Sequence, residues 1–348
     1  MLTNSSFNSF CLKIVLIALL LDSCNTCHNN NKPSTTNNKI EIEEKPVKNK
    51  GIPNIGNSCY MNSVLQILAS FYRKPFEKKK NAPLGKAAND IINAITSHED
   101  IAPEEIGQRA KQFFNALKTT STKEGNTLWK ATSGTQQDAH ELLVKIFDWL
   151  EMPNAETKYK LINPITHAER WKANPDPWSI WHIEIPKHNP KLKTMQDFFN
   201  NSLAPGTLEV NWTGYDANNV EATEIPLLNN LDNLYGKMLV ITLKRFKHEE
   251  EKKPSKITKG IDHPFKLVIK KEQTVDSSQD LHYELAGFIE HSGNTGCGHY
   301  LAYTKVGEQW IKYSDDEPVL EVTEQVAEQA AEQAYLFFYK PTKPRRME

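Results

Sequence analysis

The apolar pattern of this chain changes period part-way along, and that change limits the folds open to it. From about Gln136 to Leu150, the residues Ala139, Leu142, Leu143, Ile146, Phe147 and Leu150 make one stripe at helical spacing. Asp138, Glu141, Lys145 and Asp148 share the opposite face. Later runs are strand-like: Ile180 to Ile185, Met238 to Leu243, Phe265 to Ile269, Tyr283 to Ile289 and Gln309 to Tyr313. Near the end, a helix carrying Glu324, Glu328 and Glu332 at four-residue intervals precedes a terminal strand, Ala334 to Tyr339. Helices first and strands later predict an α+β body.

Two distant segments carry reactive side chains in Gly-rich, turn-forming frames. Gly51-Ile-Pro-Asn-Ile-Gly-Asn-Ser-Cys-Tyr-Met-Asn-Ser63 ends where a helical pattern begins, with Ser58 as the expected cap and Val64, Leu65 and Leu68 at helical spacing. That places Cys59 in a first helical turn, where unpaired N–H groups and the helix dipole favour thiolate over thiol. Free cysteine is often a buried structural thiol, but a polar loop rich in Gly and Asn argues against burial here. The second segment, Gly296 to Tyr303, offers His299 as proton acceptor. A lone strand histidine is usually a hydrogen-bonded core residue; Gly293, Gly296 and Gly298 crowding the preceding loop point instead to backbone passing close to a ligand. Tyr300 and Tyr303 read as packing residues. Taken alone, Asp138 and Glu141 read as a solvated acidic pair favoured by the helix dipole.

Composition narrows the partners. In 348 residues, 39% hydrophobic and 24% charged, Lys plus Arg total 42 against 43 acidic residues. The chain is of the globular class and has no global basic field for nucleic acid. Five cysteines, Cys11, Cys24, Cys27, Cys59 and Cys297, make a poor disulfide framework. The leader is distinct: Lys13 precedes an apolar run, Ile14 to Leu21, shorter than the roughly 20 residues of a bilayer span but suited to a signal peptide. Leu21-Asp-Ser-Cys24 resembles a lipoprotein cleavage site, which makes Cys24 a candidate for lipidation and membrane anchoring; a poorly ordered apolar leader or an uncleaved anchor is the alternative. Residues 1–24 are therefore read as a leader, the Asn-, Thr-, Lys- and Glu-rich 25–48 as a disordered tether, and 49–342 as the globular domain. Cys24 and Cys27 have no second pair or His at zinc spacing nearby.

From Gly51 to about Lys340 the chain resembles the ubiquitin-specific protease family of deubiquitinating cysteine peptidases. The resemblance is an ordered series: Asn57-Ser-Cys59-Tyr-Met-Asn-Ser63, Gln136-Gln-Asp-Ala-His-Glu-Leu-Leu143, Leu239-Val-Ile-Thr-Leu-Lys-Arg-Phe246, Tyr283-Glu-Leu-Ala-Gly-Phe288, Gly298-His299-Tyr-Leu-Ala-Tyr303, Trp310 to Asp316, and Ala334-Tyr-Leu-Phe-Phe-Tyr339. It implies a papain-like fold of thumb, palm and fingers, with Cys59 on the thumb helix, His299 on the palm sheet and a channel between them for the ubiquitin tail. It further implies that Cys59 attacks the carbonyl of ubiquitin's terminal glycine while His299 moves the proton. Asn54 matches the position that stabilises the oxyanion, and Asp138 and Glu141 match acidic positions that meet the basic ubiquitin tail.

Two departures carry consequences. Many members hold zinc through two C-x-x-C pairs in the fingers, yet no cysteine lies between Cys59 and Cys297. No metal or other cofactor is expected, and the fingers must hold by packing, with Trp178, Trp181 and Trp212 as the aromatic candidates. The family's ring-orienting residue is an Asp or Asn four positions after a Trp; counting from Trp310 gives Ser314, with Asp315 next. Either residue is open as the third catalytic group. The expected activity is thiol-dependent hydrolysis of isopeptide or peptide bonds after ubiquitin's C-terminal glycine, with ubiquitin and ubiquitinated proteins as partners. A peptidase for a ubiquitin-like modifier and a catalytically weak ubiquitin-binding module are the alternatives. A signal-like leader on such a domain fits a bacterial effector, exported and either membrane-anchored as a lipoprotein or secreted to a host cell.

Overall fold

The computed structural model describes residues 49–123, 125–130, 137–186, 189–212, 219–247, 255–294 and 297–342. The leader and tether expected over 1–48, and Gln136 and Gly296, lie outside the described residues. A helical layer comes first: α1 (Cys59–Phe71), α2 (Arg73–Lys78), α3 (Pro83–Thr96), α4 (Pro103–Thr119) and α5 (Ala139–Leu150). Proline opens α3 and α4, where its missing N–H costs nothing. Helix α5 starts at Ala139 rather than about Gln136, because Asp138 has extended backbone and its Oδ1 accepts from the N–H groups of His140 at 2.7 Å and Glu141 at 3.0 Å.

Next come the short strands β1 (Ala155–Ile162), β2 (Glu169–Trp171), β3 (Asp176–Trp178) and β4 (Trp181–Glu184), then α6 (Met195–Ser202), β5 (Gly206–Asn211) and β6 (Asn219–Asn229). The chain continues through β7 (Leu239–Lys244), β8 (Phe246–Lys247), β9 (Ser255–Lys256), β10 (Lys266–Ile269), β11 (Leu281–Asn294), β12 (Cys297–Val306), β13 (Gln309–Tyr313) and β14 (Leu320–Val322). It closes with α7 (Glu324–Ala331) and β15 (Ala334–Pro341). The large sheet runs β14-β13-β12-β11-β15-β7-β4, with β10 also on β11; β4 joins β7 in parallel and the other pairs are antiparallel. A smaller antiparallel sheet runs β2-β1-β6-β5, with β3 also on β1, and β8 pairs β9 as a ribbon.

Both faces of the large sheet are covered. Along β15, Leu336 and Phe338 pack into the core shared with α1 to α5, whereas Phe337 and Tyr339 pack into a second core with Phe198, Phe199, Ala327 and Trp310. That two-sided burial is why the strand reads as a continuous apolar run instead of an alternating one. Helix α1 is the inner member of the helical layer, buried all round from Cys59 to Ala69, polar Asn62, Ser63 and Gln66 included.

The expectation for the fingers needs a correction. Trp178 and Trp181 stack edge to face at 5.0 Å, but Trp181 lies in the large sheet, donates to Ser202 Oγ on α6 at 2.9 Å and, with Trp178, packs against the second core. The pair joins the two sheets. Of the three tryptophans only Trp212 sits in the small sheet's own cluster, with Leu161 and Ala222, under the Arg170 guanidinium at 4.4 Å.

Candidate active site

The loop that delivers Cys59 is held from within. Gly56 and Asn57 adopt positive φ of 109° and 49°, turning the chain back so that Asn54 Oδ1 accepts from the N–H of Gly56 at 3.0 Å and of Ser58 at 3.2 Å. Ser58 occupies the position before α1, but its hydroxyl does not cap the helix. It accepts from Ile55 N–H at 3.0 Å instead, so the serine serves the loop, not the helix end.

Cys59 is 4% exposed, contrary to the expectation drawn from its polar flanks. Burial pushes its thiol above the ordinary value; the N–H of Tyr300, which bonds the sulfur, opposes the rise, and the Asp315 carboxylate adds to it. The helix dipole therefore does not leave a thiolate waiting in the free protein, and desolvation wins over the favourable helix terminus. The bond from Tyr300 also places the sulfur beside the residue that follows His299, so α1 and β12 bring the two sequence-predicted groups together.

His299 projects from β12 with its side chain 39% exposed. Its Nε2 lies 3.0 Å from Ser314 Oγ, and Ser314 is buried; Nδ1 lies 3.9 Å from Asp315 Oδ2. The serine thus has the ring, and the spacing count from Trp310 selects the residue that touches the imidazole. A hydroxyl fixes the orientation of the ring without supplying charge. Nδ1 is the ring nitrogen that Ser314 leaves uncontacted.

Asp315 does more than shape a turn. The turn itself is closed by the backbone, Glu317 N–H to Ser314 carbonyl at 2.9 Å. The Asp315 residue sits at φ 48°, its carboxylate receiving Asn54 Nδ2 on Oδ2 and Asn62 Nδ2 on Oδ1, each at 2.8 Å. Its backbone carbonyl accepts Ile52 N–H at 2.7 Å, so close that a Cβ on Gly51 would stand 2.8 Å from that oxygen. Burial pushes the carboxyl up; the two amides and His299 pull it back, while Asp316 adds to the rise. Asn62 is a residue that sequence reasoning missed. A fully polar amide in the middle of an otherwise buried helical run was the available signal.

Asp138 and Glu141 stand at the start of α5, close to the same place. Ala139 N–H bonds the Tyr300 hydroxyl, and the Asp138 charge helps push up the Tyr300 and Tyr335 phenols. Part of the Asp138 carboxylate is committed to the helix cap, whereas Glu141 is exposed. Among the described residues no three His, Cys, Asp or Glu side chains are grouped to hold a metal ion.

A buried thiol on a helix start, bonded by the N–H of the residue after a strand histidine whose ring is held by a hydroxyl, is an arrangement compatible with a cysteine hydrolase, and comparison with known proteins identifies which. The family model described as ubiquitin carboxyl-terminal hydrolase matches residues 50–339. The chain belongs to that family. It is a cysteine-type deubiquitinase. Ubiquitin carboxyl-terminal hydrolase 8 of Saccharomyces cerevisiae is 26% identical over 345 residues, covering 83% of this chain and 70% of the relative. Ubiquitin carboxyl-terminal hydrolase 12 of Salmo salar is 25% identical over 347 residues, covering 87% and 89%. The solved SAGA Ubp8/Sgf11/Sus1/Sgf73 DUB module bound to ubiquitin aldehyde matches this deubiquitinase with a TM-score of 0.69 at 20% identity, over 88% of this chain and 72% of that one, which shows the shared fold. The mixed α+β architecture expected from the sequence is thus the ubiquitin-specific protease fold.

Proposed function

We propose that this deubiquitinase hydrolyses isopeptide or peptide bonds after the C-terminal glycine of ubiquitin, with Cys59 as nucleophile and His299 as general base and acid. The observation that carries the assignment is the Cys59 sulfur bonded by the Tyr300 N–H, with the neighbouring His299 ring held through Nε2 by Ser314. Because the thiol is protonated in the free protein, attack is coupled to proton transfer: Sγ bonds to the glycine carbonyl carbon as Nδ1 of His299 takes the thiol proton. The ring then protonates the departing lysine amine, and water, deprotonated by the same nitrogen, releases ubiquitin from the thioester. Asn54 has one amide hydrogen on Asp315 and a second directed elsewhere, which suits it to the oxyanion; a donor of that kind is worth about 3 kcal/mol of barrier. Asp315 fixes that amide and lends negative charge to the imidazolium. Asp138 and Glu141, beside Tyr300, are suited to the basic tail of ubiquitin. The ubiquitin-aldehyde complex of the related DUB module supports ubiquitin as the partner.

The leader over 1–24, the tether over 25–48 and the catalytic domain over 49–342 complete the reading, with export, anchoring through Cys24 and action on host proteins as its outer part. That part rests on Lys13, the apolar Ile14 to Leu21 and Cys24 alone. Residues 49 to 348 assayed on a panel of fluorogenic ubiquitin and ubiquitin-like substrates test the central claim: ubiquitin turnover, abolished in Cys59→Ala with binding retained, is expected. Turnover of a ubiquitin-like modifier alone would redirect the substrate. No adduct with a ubiquitin activity-based probe would make the protein a binding module, a reading that the burial of Cys59 keeps in view.

A further inference from the structure

We propose that Asn62 is a positioning residue for the reaction: its side-chain amide, acting with that of Asn54, fixes the plane of the Asp315 carboxylate beside His299 and the oxyanion loop. The inference rests on the role given to Asp315 above. Asn62 lies one helical turn beyond Cys59 on α1 and is 2% exposed. Its Nδ2 donates to Asp315 Oδ1 at 2.8 Å and to the backbone carbonyls of Ile52 at 3.0 Å and Pro53 at 3.4 Å. One NH2 group therefore ties together the helix of the nucleophile, the loop of Asn54 and the loop of Ser314 and Asp315.

Two features set this amide apart from an ordinary buried asparagine. Three acceptors surround Nδ2, which settles which end of the amide is nitrogen and leaves Oδ1 buried with no hydrogen-bond partner among the described residues. A buried carbonyl without a donor works against folding, so the side chain is retained at a cost to stability, as expected of a residue that serves a site. The second feature is the two-point grip. The last torsion of an aspartate is broad, and a single hydrogen bond leaves the carboxylate free to turn. Asn62 on Oδ1 and Asn54 on Oδ2 remove that freedom, and Oδ2 is the oxygen that faces His299 Nδ1 at 3.9 Å.

The grip also bears on charge. The groups facing Asp315 are the amides of Asn54 from the loop and Asn62 from α1, the Cys59 thiol on the same helix, His299 from β12 and Asp316 from its own loop. Burial and Asp316 favour the neutral acid, and only the two amides and His299 favour the carboxylate. Removing Asn62 takes away one of three supports, so Asp315 should take up its proton at higher pH.

The test is kcat and KM for release of a fluorophore from the ubiquitin C-terminus by the full chain, between pH 5 and 9, with single-turnover rates for slow variants. A misplacement of about 1 Å costs roughly 10²-fold, and a carboxylate free to turn moves less, so Asn62→Ala should lower kcat roughly tenfold with KM little changed. The acid limb of its pH profile should move upward. Asn62→Asp, which keeps the size and sets a second carboxylate against Oδ1, should move that limb further, because two adjacent carboxylates share a proton. In an Asp315→Ala background Asn62→Ala should cost nothing more. Equal losses with and without Asp315, an unmoved acid limb in both variants, or a wild-type rate in Asn62→Ala would overturn the proposal while leaving Asp315 catalytic. A wild-type rate in Asp315→Ala would overturn the reading beneath it as well.

Discussion

Gly298→Ala adds one methyl group next to His299, the proposed general base, and the clash it makes is set by the packing around it. A Cβ at 298 would run into Nε2 and Cε1 of the His291 ring and stand 2.6 Å from the Ser292 carbonyl oxygen. Comfortable separations begin near 3.5 Å, so against the carbonyl alone the deficit is roughly 0.9 Å. The ring cannot step aside: His291 is buried, with Phe246 edge-on at 5.2 Å and Tyr300 at 4.6 Å. Nor can β11 retreat freely, because Lys256 Nζ holds the carbonyls of His291 and Gly293. The start of β12 must move instead, by about 1 Å, and the next residue is His299. A displacement of that size costs on the order of 10²-fold in rate, or about 2.7 kcal/mol of barrier. Turnover of a fluorogenic ubiquitin substrate and a thermal melt should therefore show kcat down about 10²-fold in a protein that still unfolds cooperatively. His291→Ala in the same chain removes the ring and should restore part of the loss, about tenfold, since the clash with the Ser292 carbonyl remains. A kcat for Gly298→Ala within threefold of wild type, or no recovery in the double variant, would refute the packing account.

Three further outcomes follow from the same geometry. Ser314→Ala should lower kcat moderately, because the ring loses its orienting hydroxyl, and Asp315→Ala at least as much, because the Asn54 amide loses its anchor and the imidazolium its nearby charge; full activity in Asp315→Ala with an inactive Ser314→Ala would assign the role to the serine alone. The rate of Cys59 alkylation by iodoacetamide should climb steadily from pH 7 to 9, since burial holds the thiol above its ordinary value of 9.0, and a plateau beginning near pH 6 would show a preformed thiolate. By the same shift the protonated thiol favours the folded state, so its contribution to stability is complete below the ordinary value and declines as pH rises through the higher folded one. Arg245→Met should cost about 4 kcal/mol in a denaturant titration, from roughly 1 kcal/mol for each deprived carbonyl: the fully buried guanidinium, lowered by burial to about 10 and still protonated at neutral pH, donates to the carbonyls of Ala334, Ile257, Lys259 and Glu332. An unchanged midpoint would contradict that.

Local pattern was enough to place α5, α7, β13 and β15, and to single out Cys59 and His299, because helical stripes, strand runs and Gly-rich turns express preferences of neighbouring residues. The strand limits moved where partners lie far off: β11 extends to Leu281 and Asn294 because β10, β12 and β15 each pair with part of it. Trp178 and Trp181 looked like finger residues until the two sheets were assembled around them. The state of the Cys59 proton was equally hidden, since the helix dipole is a local property and desolvation by β12 is not. Ser314 and Asp315 differ by one position in sequence, yet one reaches the His299 ring and the other two asparagines on a loop and helix more than two hundred residues earlier. For Asn62 the pattern offered only a polar amide in an apolar helical run, with nothing to say what it would bond. Its partners are chosen by the docking of α1 against the loop after β13, and hydrogen bonds a few ångströms long are decided only when such distant segments meet.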